Sequence, residues 1–260
     1  MSTFWRVTAW IARAHLARLV RSQRFLWCAV LALLPALAAF VVGSLSARIA
    51  PADLAANLGW VMLLQIVLPL VTLIGGSAVI AEEVDDRTIT YLFTRPIPRP
   101  ALLVGRFLST TLAWSALLAI SVFLLLACAG RARGHGDGLD AQFGRALYEA
   151  VLWGTCAYSA LFAALSAFVK HPMIVGIAYA FAIEGFLANL PGKNQTLSLQ
   201  YYLRSLVVES AAPAWSRVEG FASTSFATPE RARIVLGLVV LVALALGAWQ
   251  LSRRQFELTA

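Results

Sequence analysis

Apolar residues run along this chain in blocks rather than in stripes. Six blocks are long enough to cross a bilayer as helices, which takes about 20 residues each. They cover residues 25–47, 58–81, 102–129, 146–169, 173–190 and 232–251. Ahead of the first block, residues 3–22 follow a helical period instead. At 100° per residue Phe4, Trp5, Ile11, Ala12, Leu16, Leu19 and Val20 fall on one side, and Arg6, Arg13, Arg18 and Arg21 on the other. That pattern predicts an interfacial helix within residues 1–24, lying in the membrane plane or packed on protein. Residues 82–100 form a strongly polar insert around a short amphipathic core of Ile89, Tyr91, Leu92 and Phe93. Residues 191–231 are the longest stretch outside the blocks; the amphipathic pattern over 197–208 predicts short helices dipping into the outer leaflet. The expected fold is an all-α membrane protein: one domain over 1–260, six transmembrane helices, an N-terminal amphipathic helix and a short helix between spans two and three.

Composition supports the membrane class. The chain is 60% hydrophobic and 13% charged, against about 25% charged in a soluble domain. Charge then sets the orientation. Arg6, Arg13, Arg18, Arg21 and Arg24 precede the first span, and Arg48 follows it. The positive-inside rule therefore places both termini, and the 82–100 insert, in the cytoplasm. The net charge of +8 sits on membrane-flanking loops, so it implies headgroup contacts with membrane lipid and no nucleic acid. Cys28, Cys128 and Cys156 lie in apolar blocks without CxxC spacing and read as packed free thiols.

Candidate chemistry is sparse. A phosphate-cradling loop needs glycines followed by Lys and Ser or Thr. The only GK pair, Gly192-Lys193, is followed by Asn194 and lacks the first glycine, so nucleotide hydrolysis is not expected in this chain. His15, His135 and His171 lie in separate segments with no HExxH. No catalytic, metal or cofactor residues are predicted. Glu82, Glu83 and Arg87 match the EExxxR pattern of intramembrane glutamate proteases, where paired carboxylates activate a water. The accompanying histidine motifs are missing, so this is the alternative reading, beside a non-transporting membrane scaffold. Within the spans, Gly75-Gly76-Ser77 would let helices approach closely, and Pro69 frees a backbone carbonyl. Glu184 falls near mid-membrane, ~16 Å along its helix at 1.5 Å per residue. An acid there is either functional or held by hydroxyls such as Thr155, Ser159 or Ser166.

The insert carries a further pattern, E-x-x-x-x-T-[IL]-x-x-L-x-x-x-P-[IL]-x-R, met by Glu83, Thr88, Ile89, Leu92, Pro96, Ile97 and Arg99, with Gly105-Arg106 beyond it. Together with the span order, this resembles the permease subunits of ABC-2 type ABC transporters over essentially the whole chain. Arg87 departs from the glycine common there. The resemblance implies that 82–100 is a coupling helix docking on a separate ATPase subunit, present in two copies, which carries the ATP and magnesium. Glu82, Glu83, Asp85, Asp86, Arg87, Thr88 and Arg95 would supply the polar contacts, and Tyr91, Leu92 and Phe93 the apolar anchor. It also implies a second permease copy, identical or a paralogue, and an exporter of the bacterial inner membrane that is no enzyme by itself. A transport path between copies would take Gln65, Thr72, Ser77, Tyr179, Glu184 and Asn189. The substrate is not legible.

Overall fold

The computed structural model describes residues 2–45, 49–85, 99–132, 141–185, 193–210 and 226–253. Helix α1 (Ser2–Val20) leads into α2 (Gln23–Leu45). The next span is composite: α3 (Pro51–Asn57), a π-helical segment (Leu58–Val67) and α4 (Leu68–Asp85) follow without a break. Then come α5 (Arg99–Ala129) and α6 (Ala141–Phe168). The following apolar helix is α7 (Pro172–Ile177) continued by a second π segment (Ala178–Ile183). A 3-10 turn (Lys193–Leu197), α8 (Leu199–Ser210) and α9 (Pro229–Arg253) complete the described chain. The described residues are helical throughout apart from short connections.

Prolines set several helix starts. Ala50 is extended (φ −64°, ψ 145°) before Pro51, as the ring of a following proline demands. His171 leaves the helical region before Pro172 in the same way. Pro229 opens α9, and Ala232 N–H closes its first turn on the Thr228 carbonyl. Proline fits these first positions because its missing N–H would have no intrahelical partner there.

Five described helices are long and apolar enough to span a membrane: Gln23–Leu45, Pro51–Val79, Ala101–Ala129, Ala141–Phe168 and Pro229–Arg253. They correspond to the first, second, third, fourth and sixth predicted spans. The fifth is a shorter apolar helix, Pro172–Ile183; part of its predicted range, including Asn189, lies outside the described residues. The helices run up and down. Val79, Leu103, Ala167 and Leu251 cluster at one end. At the other, Gly43 meets Ala132 and Leu54, and Arg233 bonds Glu149 at 2.6 Å. The end carrying Val79 is also the end of the 82–100 insert.

The core is built on close approach. Phe25 stacks on Trp114, with ring centroids 5.5 Å apart, and the indole edge of Trp114 lies where a Cβ on Gly75 would be. A Cβ on Gly76 would stand 2.6 Å from the Phe162 Cβ. This is the packing expected of the Gly75-Gly76 pair. Large apolar residues such as Phe40, Leu112, Phe123 and Leu241 remain exposed, as a bilayer solvent would permit. Cys28 is buried, and all three cysteines are free thiols.

Two amphipathic helices sit on protein rather than standing apart from it. In α1 the packed positions are Thr8 and Ile11, which face Gly105 of α5, and His15, whose Nδ1 bonds Ser109 Oγ at 2.7 Å. Trp5 and Trp10 stay exposed. The line of contact is therefore rotated from the apolar face drawn by period alone. Helix α8 is packed into the bundle end, with Tyr201, Tyr202, Leu203, Leu206 and Val207 all buried. It is not a helix resting on lipid, because its tyrosines and aliphatics join the same core as α6 and α9.

Candidate functional site

The two π segments face one cavity. A π turn closes hydrogen bonds five residues back, and such turns are rare and frequent at functional sites. Leu68 N–H bonds the Leu63 carbonyl, and Glu184 N–H bonds the Tyr179 carbonyl. In that register the next donor after Leu68 would be residue 69, with Leu64 as acceptor. Pro69 has no N–H, so the Leu64 carbonyl is orphaned. Gln200 of α8 supplies the replacement, its Nε2 donating to Leu64 O at 3.1 Å. The carbonyl freed by Pro69 is thus answered from 136 residues away.

Glu184 closes the second π segment and is 1% exposed. Its carboxylate accepts from the Tyr158 hydroxyl, from the Tyr179 hydroxyl at 2.9 Å and from Leu199 N–H at 3.1 Å. The holding groups are therefore two tyrosines and a helix start. None of the serine and threonine hydroxyls expected from the sequence holds it: Thr155 donates to Val151 O, Ser166 to Ala163 O, and Ser159 Oγ has no partner among the described residues. Hydroxyls on a helix reach their own carbonyls one turn back, whereas a tyrosine reaches across to a neighbour.

The cavity beside this network holds about 290 Å³. Gln65, Val61 and Ile66 line it from the first π segment, Phe181 and Glu184 from the second, and Gln200 and Arg204 from α8. Arg204 stacks over the Trp60 ring at 4.4 Å. Burial lowers its guanidinium to about 10, so it stays charged at neutral pH. The pocket thus offers an amide, a cation and an apolar wall to a small amphiphilic guest.

Gln65, Tyr179 and Glu184, predicted to share a path, do meet here. Thr72 does not join them, since its hydroxyl donates to Leu68 O and Pro69 O. Ser77 lies toward the opposite end and lines a different cavity. Tyr158, Gln200 and Arg204 escaped the sequence reading; the spacing of Gln200 and Arg204, one helical turn apart on α8, was the available signal.

At the opposite end the polar insert is framed by α4 and α5. Glu82, Glu83 and Asp85 fall in the last turn of α4. Asp86, Arg87, Thr88, Tyr91, Leu92, Phe93 and Arg95 lie outside the described residues. Just inside the bundle, buried Arg106 donates from Nη1 to Val79 O at 2.7 Å, tying the two helices together. Gly105 beside it admits the α1 backbone: a Cβ there would lie 2.9 Å from Thr8 O. The Gly-Arg pair is therefore a packing notch followed by a clamp.

The described residues form a helical bundle with five helices long and apolar enough to cross a membrane, and Arg106 ties together the two helices that flank the polar insert. Residues 9–256 match the model of the ABC-2 family transporter proteins, and the chain belongs to that family. Comparison with curated proteins gives no match. Family membership makes it an integral membrane protein that works with an ABC ATPase partner. It does not favour the intramembrane protease reading.

Proposed function

We propose that this chain is the permease half of an ABC exporter. Two copies, identical or paralogous, would work with two ATPase subunits that bind the ATP and magnesium. Both termini and the 82–100 insert would face the cytoplasm of a bacterial inner membrane. The observation that carries this reading is the clamp of Arg106 on Val79 at the foot of the insert. Closure of a soluble ATPase pair moves a membrane helix only through a stiff contact. An insert whose two flanking helices are joined by a buried, charge-assisted hydrogen bond meets that need. Glu82, Glu83, Asp85, Asp86, Arg87, Thr88 and Arg95 supply the polar contacts, with Tyr91, Leu92 and Phe93 as the anchor. The cavity lined by Gln65 and Glu184, with Tyr179 bonded to that carboxylate, is the part of the path this reading favours, with Thr72, Ser77 and Asn189 further along it.

The test is charge reversal at the insert. Asp85→Lys with Asp86→Lys should abolish co-purification of the ATPase from membranes while the permease still inserts and folds. Undiminished capture of the ATPase by the folded double variant refutes the assignment of the insert.

A further inference from the structure

We propose that the end of the bundle bearing α1 holds a site for one anionic phospholipid. Two cavities meet there. The inner one, about 160 Å³, is lined by His15, Arg18, Ser22, Arg24 and Trp114. The outer one, about 460 Å³, is lined by Arg24, Trp27, Lys170, His171, Met173 and Ile174. They share Arg24, Ile74 and Ala78 as a common wall.

The basic lining points to a phosphate headgroup: Arg18, Arg24 and Lys170 come from three separate segments and meet at the two cavities. His15 stands in the wall of the inner cavity, its Nδ1 sharing a 2.7 Å hydrogen bond with Ser109 Oγ.

The apolar side selects a lipid over a soluble anion. The outer cavity opens along Trp27, Met173 and Ile174, which are 72%, 51% and 68% exposed. These continue the exposed apolar surfaces of α2 and α7. An acyl chain lying on them keeps its headgroup at the cations without leaving the bilayer. Basic pockets between membrane helices bind anionic headgroups by this combination. The site is separate from the cavity of Gln65 and Glu184, at the opposite end of the bundle, and does not depend on what that cavity carries.

Native mass spectrometry of the purified full-length chain tests this. Phosphatidylglycerol and phosphatidylcholine of identical acyl chains are titrated in detergent, with and without inorganic phosphate. Phosphatidylglycerol should bind at least tenfold more tightly. Each cation removed should weaken it about fivefold, the equivalent of roughly 1 kcal/mol per charge near a membrane surface. The combined variant Arg18→Gln, Arg24→Gln, Lys170→Gln should lose nearly all of the preference. Arg145→Gln, an exposed cation at the far end, should change nothing. Lys170 is exposed and outside any helix, so Lys170→Gln reports even where the combined variant fails to fold. Equal binding of the two lipids, or wild-type phosphatidylglycerol affinity in Lys170→Gln, overturns the site. Displacement of phosphatidylglycerol by millimolar inorganic phosphate also overturns it, since the ligand is then a soluble anion.

Discussion

Replacing Gln200 with leucine, of similar volume, removes the side chain that answers the Leu64 carbonyl. A buried acceptor left without a partner costs about 1–3 kcal/mol. Hydrogen bonds between membrane helices average about 0.6 kcal/mol and reach about 1.7. Gln200 itself carries an unpaired buried atom, Oε1, and its removal offsets part of the loss. The expected net cost is about 1 kcal/mol. The decisive comparison is the same change in a Pro69→Ala background. Alanine restores the missing N–H, so the carbonyl regains an intrahelical donor and Gln200 becomes dispensable. There Gln200→Leu should cost only a few tenths of a kcal/mol, a coupling of about 1 kcal/mol in the double-mutant cycle. Unfolding of the four proteins in mixed micelles, followed by far-ultraviolet circular dichroism, supplies the energies. Equal costs in both backgrounds would refute the claim that the proline creates the need and α8 meets it.

Two other outcomes follow from the packing. Gly76→Ala places a methyl group 2.6 Å from the Phe162 Cβ, so it should lower stability by about 1–3 kcal/mol; Gly185→Ala, with nothing within 4 Å of its added carbon, is the neutral control in the same unfolding assay. Arg106→Met loses the clamp on Val79 O and should cost about 1.5–3 kcal/mol, the range for hydrogen bonds to charged groups; a thermal-unfolding midpoint matching the wild type would show that the clamp is idle.

Much of this architecture was legible in the sequence, for physical reasons that differ by element. The long spans are visible because a bilayer demands an uninterrupted apolar helix, and 232–251 or 102–129 can be nothing else. Gly75-Gly76 was legible because only small residues let Trp114 and Phe162 come so near. The partners of Glu184 were not. Tyr158 sits 26 residues away on another helix, and no local pattern says which hydroxyl will reach across. Glu149 and Arg233, at the ends of α6 and α9, escaped for the same reason: their pairing at 2.6 Å joins segments 84 apart. The contact line of α1 was rotated from its apolar face because Gly105 offers a notch to the Thr8 backbone, which hydrophobicity does not record.

Irregular backbone inside a membrane needs protein to cover it, because no water is present to answer a free carbonyl. That requirement explains why α8, which reads as part of a loop, is among the most buried helices of the chain. Its side chain at Gln200 answers the first π segment. Its first backbone N–H, at Leu199, answers the carboxylate that ends the second. Arg204 lies against Trp60 of the first, and Ser205 Oγ accepts from Ala227 N–H at 3.1 Å, where the chain enters α9. One short helix therefore completes the hydrogen bonding of two distorted spans and fixes the entry of a third. Without it the π segments would expose unpaired polar groups to hydrocarbon, at a cost of several kcal/mol for each. The distortions and their cover form one unit: α8 bonds the carbonyl left free in the first π segment and the carboxylate that ends the second, and the cavity lies between them.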